Sequence, residues 1–217
     1  FAAVPGARAS GGEDTLLSED VRAQGGDTSP GQPDGPLTID VKFVLDMTGS
    51  MGPYIDAAVA GLADVVQDLD AQSSEDLRFR FGLVGFRDNP ENTPELGWAA
   101  QDFTADGLLP ADQMLELLSP GGGAFIANTT SDEWAEDVFA GVNAGVNGPW
   151  SVEAAENTAR FMVLVGDASA HEPGSQRGSK STTGLSAQTL RDSLNSNNIY
   201  LHAYHILDPV AAVDHPI

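Results

Sequence analysis

Apolar residues along the chain follow two rhythms in turn. Short runs rich in Val, Ile, Leu and Phe alternate with longer stretches in which apolar positions recur every three or four residues. The runs Ile39–Leu45, Leu77–Asp88, Arg160–Asp167 and Ile199–Leu207 predict strands buried within a sheet. Pro53 suits a first helical turn, and Ile55, Val59, Leu62, Val65, Val66 and Leu69 follow it at helical spacing. Leu96–Phe103 predicts a short edge strand, and Leu109–Leu118 a helix with Met114, Leu115 and Leu118 inward. A further helix is expected from about Asp132 to Val146, burying Trp134, Val138, Val142 and Val146, and another near Ala187–Asn195. Strands alternating with helices predict an α/β fold: a doubly wound, mostly parallel sheet flanked by helices, with one short antiparallel edge strand.

Residues 1–36 break this rhythm. Gly, Pro, Ser and acidic residues dominate there, as in Gly25-Gly26-Asp27-Thr28-Ser29-Pro30-Gly31, and such a stretch has too little apolar surface to fold alone. It reads as a tail or linker ahead of a domain at 37–217, with a short helix available at Thr15–Gln24. Phe1 in place of Met implies processing or excision, with room for a removed leader.

Charge narrows the function classes. The 217 residues carry 32 acidic against 10 basic side chains, a net charge of -22, and Lys42 and Lys180 are the only lysines. Such a surface repels phosphate backbones and anionic lipid, so no nucleic-acid partner and no membrane insertion are expected. It attracts cations and suits an extracellular or cell-surface setting, though a cytoplasmic one is open and the charge also serves solubility alone. With no cysteine, disulfides, thiolate metal sites and cysteine nucleophiles are excluded.

The candidate chemistry sits where the first strand stops. Asp46, Thr48 and Ser50 alternate in a tight loop between that strand and the helix after Pro53. In an open α/β sheet, ligands bind beyond the carboxyl ends of strands. Three oxygen-bearing side chains without a basic residue among them suit a hard divalent cation. Otherwise the two hydroxyls would merely satisfy backbone amides in a strand-capping turn. Arg160–Gly166 repeats the theme, an apolar strand ending in Asp167.

The segment Asp46-Met47-Thr48-Gly49-Ser50-Met51 resembles the opening of a von Willebrand factor A (vWA) domain, whose metal-ion-dependent adhesion site begins D-x-[S/T]-G-S-M. The resemblance covers about residues 37–210. It implies a Rossmann-like domain that here lacks its last helix and strand. It also implies that Thr48 and Ser50 bind the cation through their hydroxyls, Asp46 directly or through water, and Asp167 usually through water. The third loop departs from the family. Gly121-Gly122-Gly123 matches a related subgroup, but an insertion follows before Glu136-Asp137-Val138. That alignment offers Glu133 or Thr130 as the remaining ligand, while Thr130-Ser131-Asp132-Glu133 also fits a helix capping box. Arg87-Asp88 are expected on the rim of the site, in a salt bridge or turn, and His171-Glu172, with no partner histidine at ligand spacing, are also expected there as rim residues. His202 and His205, three apart on a strand, point to opposite faces.

The resulting expectation is a binding module and not an enzyme. Its cation, Mg2+ with Ca2+ or Mn2+ as alternatives, would ligate an Asp or Glu presented by a protein partner, in adhesion or within a larger assembly or longer polypeptide. The loop also resembles that of haloacid dehalogenase-type phosphotransferases, in which Asp46 would be the nucleophile. That chemistry needs a basic residue near the phosphoryl group, and no lysine lies between Lys42 and Lys180. A metal-free structural spacer with the same fold is the third reading.

Overall fold

The structure is a computed structural model and describes residues 35–88, 97–119, 135–152, 157–170 and 183–206. The chain divides into two units, Phe1–Gln32 and Pro33–Ile217. All described residues belong to the second.

Five strands form one sheet. β1 (Leu37–Asp46) lies at its centre, between β2 (Leu77–Phe86) and β5 (Thr158–Gly166), both parallel to it. β7 (Ile199–His205) runs parallel to β5 at one edge, and β3 (Ala100–Asp102) runs antiparallel to β2 at the other. A separate pair, β4 (Ala135–Glu136) and β6 (Ser169–Ala170), is also parallel. Helices α1 (Ile55–Asp70), α2 (Ala111–Leu118), α3 (Val138–Asn147) and α4 (Ala187–Ser196) complete a mixed α/β architecture with a mostly parallel sheet.

Alternation along β1 explains the layering. Val41, Phe43 and Leu45 join Phe81 and Leu83 of β2 against Ile55, Leu62 and Val66 of α1 and Met114 and Leu118 of α2. On the opposite face Val44, Val84 and Met162 meet Val138, Val142 and Val146 of α3 and Leu190 and Leu194 of α4. Strands covered on both faces have no polar period, so they read as continuous apolar runs.

Three expectations need correction. Val65 is 42% exposed, because Ile55, Val59, Leu62, Val66 and Leu69 already make the inward stripe and Val65 lies on its flank. The edge strand is only Ala100–Asp102. The third long helix begins at Val138, not Asp132, with the Asp137 side chain accepting from the Ala140 amide. The spacing of Val138, Val142 and Val146 fits this helix but does not mark its start, which follows the strand Ala135–Glu136; Trp134 lies outside the described residues.

Close packing of α3 yields a mutational expectation. A Cβ on Gly141 would lie 2.8 Å from Phe86 Cβ and Cδ1, and Phe86 is fully buried. In an exposed helix Gly→Ala would stabilise by about 1 kcal/mol. Here Gly141→Ala is expected to destabilise by about 1–3 kcal/mol through overpacking, read as a lower urea midpoint. An unchanged or raised midpoint would show that α3 has slack against the sheet.

Candidate functional site

Asp46 closes β1 with its side chain fully buried. Its register partner on β2 is Phe86, and Leu45 pairs with Val165 of β5. The ends of β1 and β5 are therefore adjacent, and Asp167 follows directly on β5. Gly166 permits this approach, since a Cβ there would stand 2.9 Å from Asp46 Oδ2.

Local hydrogen bonds shape the first loop. Asp46 Oδ1 accepts from the Thr48 amide at 2.9 Å and from Thr48 Oγ1 at 2.7 Å, an Asx-type turn. Ser50, in the short 3-10 turn Gly49–Met51, donates from Oγ to Asp167 Oδ1 at 2.9 Å. Thr48 Oγ1 and Ser50 Oγ lie 3.1 Å apart. Each hydroxyl has one proton to give and lone pairs to accept with, so the two share their donation between the carboxylates and each other. The two hydroxyls are also within hydrogen-bond distance of each other, and either can donate across the 3.1 Å.

The site is strongly acidic. Burial pushes the Asp46 carboxyl up to about 7; the Thr48 donors oppose the rise and the Asp167 charge adds to it. Glu136, on β4 and almost fully buried, is pushed up to about 9 by burial and then by the charges of Asp46, Asp88 and Asp167, with the Thr48 side chain partly offsetting them. Asp46 Oδ2 and Glu136 Oε2 are buried and accept no hydrogen bond. Buried acceptors left unsatisfied are costly, and a cation among them would remove both the deficit and the repulsion.

The β4–β6 pairing explains how Glu136 arrives. Glu136 is in register with Ala170, three residues beyond Asp167, and the Asp137 amide donates to the Arg87 carbonyl at 3.2 Å. These two ties hold the start of α3 against the ends of β2 and β5. The Arg87 guanidinium stacks over Trp98 at 4.0 Å, while Asp88 is buried beside the acidic cluster. Among the described residues no three carboxylate or imidazole groups gather closely enough to hold an ion by themselves. The converging donors are two neutral hydroxyls and their carboxylate neighbours.

No family model matches the chain, and no curated protein matches it. Solved structures similar to it include the pilus adhesin SpaC from Lactobacillus rhamnosus GG in its open conformation, at 14% identity and a TM-score of 0.49. The match covers 79% of this chain and 24% of the adhesin, so the chain spans about a quarter of that protein's length.

Of the residues singled out from sequence, the structure brings Asp46, Thr48, Ser50 and Asp167 together. Thr130 and Glu133 lie outside the described residues, as do His171 and Glu172. Glu136 is the acidic residue that sequence reasoning passed over. Its signal was present in Glu136-Asp137-Val138, an acid directly before a helix-capping aspartate, but a helix drawn from Asp132 hid it. His202 and His205 lie on exposed β7; His202 stacks on Phe161 at 6.3 Å, and His205 is in register with Gly166, the residue before Asp167.

Proposed function

We propose that the chain is a metal-dependent binding module of the von Willebrand factor A type, a doubly wound Rossmann-like domain that captures an aspartate or glutamate of a protein partner. The observation that carries this reading is the convergence of Thr48 Oγ1 and Ser50 Oγ, 3.1 Å apart, beside the carboxylates of Asp46 and Asp167. Adjacent ligands of an octahedral ion with bonds of about 2.1 Å stand about 3.0 Å apart. The pair is thus spaced as two ligands of Mg2+, with Ca2+ or Mn2+ able to replace it.

The residues fit such an ion. Thr48 and Ser50 would hold it through neutral oxygens, and Asp46 and Asp167 would accept from those hydroxyls and fix their lone pairs toward it. Bound there, the cation supplies a positive seat for an incoming carboxylate. Asp88 lies beside the cluster, and Glu136 would add negative charge to the site once cation binding expelled its proton. Two basic residues of the sheet are engaged elsewhere than at Asp46. Lys42 Nζ is committed to the Gly145 carbonyl and Asp102, and Arg160 donates to the Asn197 and Ser151 carbonyls. Location at a cell surface or outside the cell follows as part of the same proposal.

Calorimetric titration with Mg2+ tests it. One ion per chain is expected, with Ser50→Ala and Thr48→Val each weakening affinity by about 10-fold or more. Equal Mg2+ affinity in the wild type and both variants would contradict the proposed donor set.

A further inference from the structure

Midway along β1 the sheet encloses a lysine. Lys42 is fully buried, and its stem crosses Gly82 of β2, where a Cβ would lie 3.0 Å from Lys42 Cε. The amine reaches the Asp102 carboxyl on edge strand β3, with Nζ 3.5 Å from Oδ2. We propose that Lys42 and Asp102 condense into an intramolecular isopeptide bond that ties the central strand β1 covalently to β3.

The surroundings supply what an amide condensation requires. Asp102 Oδ1 accepts from the Thr104 amide and from Thr104 Oγ1, both at 2.8 Å. Two donors on one carboxyl oxygen are placed to stabilise the negative charge that grows there when a nucleophile adds to Cγ. Asp102 Oδ2, the oxygen that would leave, is buried with no hydrogen-bond partner and faces the amine. Lys42 Nζ donates to the Gly145 carbonyl at 3.1 Å and lies 4.7 Å from the Trp150 ring centroid. These contacts hold it in place and keep water out. Gly148 closes the chamber; its missing side chain leaves room for the Asp102 carboxyl and the amine. Burial lowers the Lys42 ammonium below lysine's usual value, against the pull of Asp102, which favours the nucleophilic free amine.

Atoms balance without a co-reactant. Proton transfer within the pair turns ammonium and carboxylate into amine and carboxylic acid. The Nζ lone pair then adds to Cγ, and the Nζ–Cγ bond forms as the Cγ–Oδ2 bond breaks. The proton lost by nitrogen leaves with Oδ2 as water. Asp40, on the same face of β1 and within electrostatic reach of the amine, can take that proton and return it.

Intact-mass spectrometry of the purified full chain tests this directly. The expected mass is about 18 Da below that of the sequence, the loss of one water, and digestion should release a branched peptide joining the segments around Lys42 and Asp102. Lys42→Met and Asp102→Ala should both run at full mass. A wild-type chain at full mass would overturn the proposal. So would a loss of about 18 Da that persists in either variant, because the dehydration would then lie elsewhere.

Discussion

Asp46→Asn is expected to stabilise the metal-free chain at pH 8 while abolishing its response to Mg2+. The two effects share one cause. Asp46 is fully buried, and its carboxyl is raised to about 7 by burial, with the Asp167 charge adding to it. At pH 8 the wild type therefore keeps a buried charge beside Asp167 and Glu136. Asparagine retains an oxygen for the Thr48 donors and removes that charge, a relief on the order of a few kcal/mol. In the proposed site the same charge would attract the cation held by the neighbouring hydroxyls. Wild type at Mg2+ of 100 times Kd should gain about 2.7 kcal/mol, or about 5–10 °C in Tm for a domain of this size. The variant should gain nothing. Scanning calorimetry with and without chelator reads both, and a wild type whose Tm ignores Mg2+ would support the metal-free spacer instead.

Without metal, stability should fall as pH rises from about 5 to about 9. Asp46 and Glu136 have folded values of about 7 and about 9, above their ordinary 3.8 and 4.5. Between those limits the folded chain keeps protons that the unfolded chain has released, so the slope of stability against pH is negative. The contribution is complete below pH 4, and it is lost as pH rises through 7 for Asp46 and through 9 for Glu136. By linkage the two shifts together set an upper bound on that loss on the order of 10 kcal/mol. Mg2+ should flatten this slope, since its binding competes with those protons and expels them. Urea titrations from pH 5 to 9 in chelator give the slope, and calorimetry at pH 6 in buffers of different ionisation enthalpy gives the protons released. A flat profile in chelator would mean that the acidic cluster is relieved in some other way.

Much of this molecule was legible in its residue pattern, for particular physical reasons. β1, β2, β5 and β7 announced themselves because strands in a parallel sheet are long apolar runs that end abruptly. Asp46 and Asp167 were visible as the polar residues that stop two such runs. Nothing local stated that those strands are neighbours; that follows from the sheet order, in which β5 joins β1 across more than a hundred residues. Glu136 was hidden because a two-residue strand has no period, and Val138, Val142 and Val146 invited a longer helix. The Lys42–Asp102 pair was equally hidden. A lysine inside an apolar run carries no mark of its partner, and Asp102 lies on a three-residue edge strand.

The proposed function rests on a cation held by the loops that follow β1 and β5. Crystals grown with Mn2+ and measured at its absorption edge locate that ion without reference to activity. The account predicts one anomalous peak about 2.2 Å from both Thr48 Oγ1 and Ser50 Oγ, absent in Asp46→Asn. A well-ordered wild-type loop with no peak there, or a peak away from both hydroxyls, would contradict it.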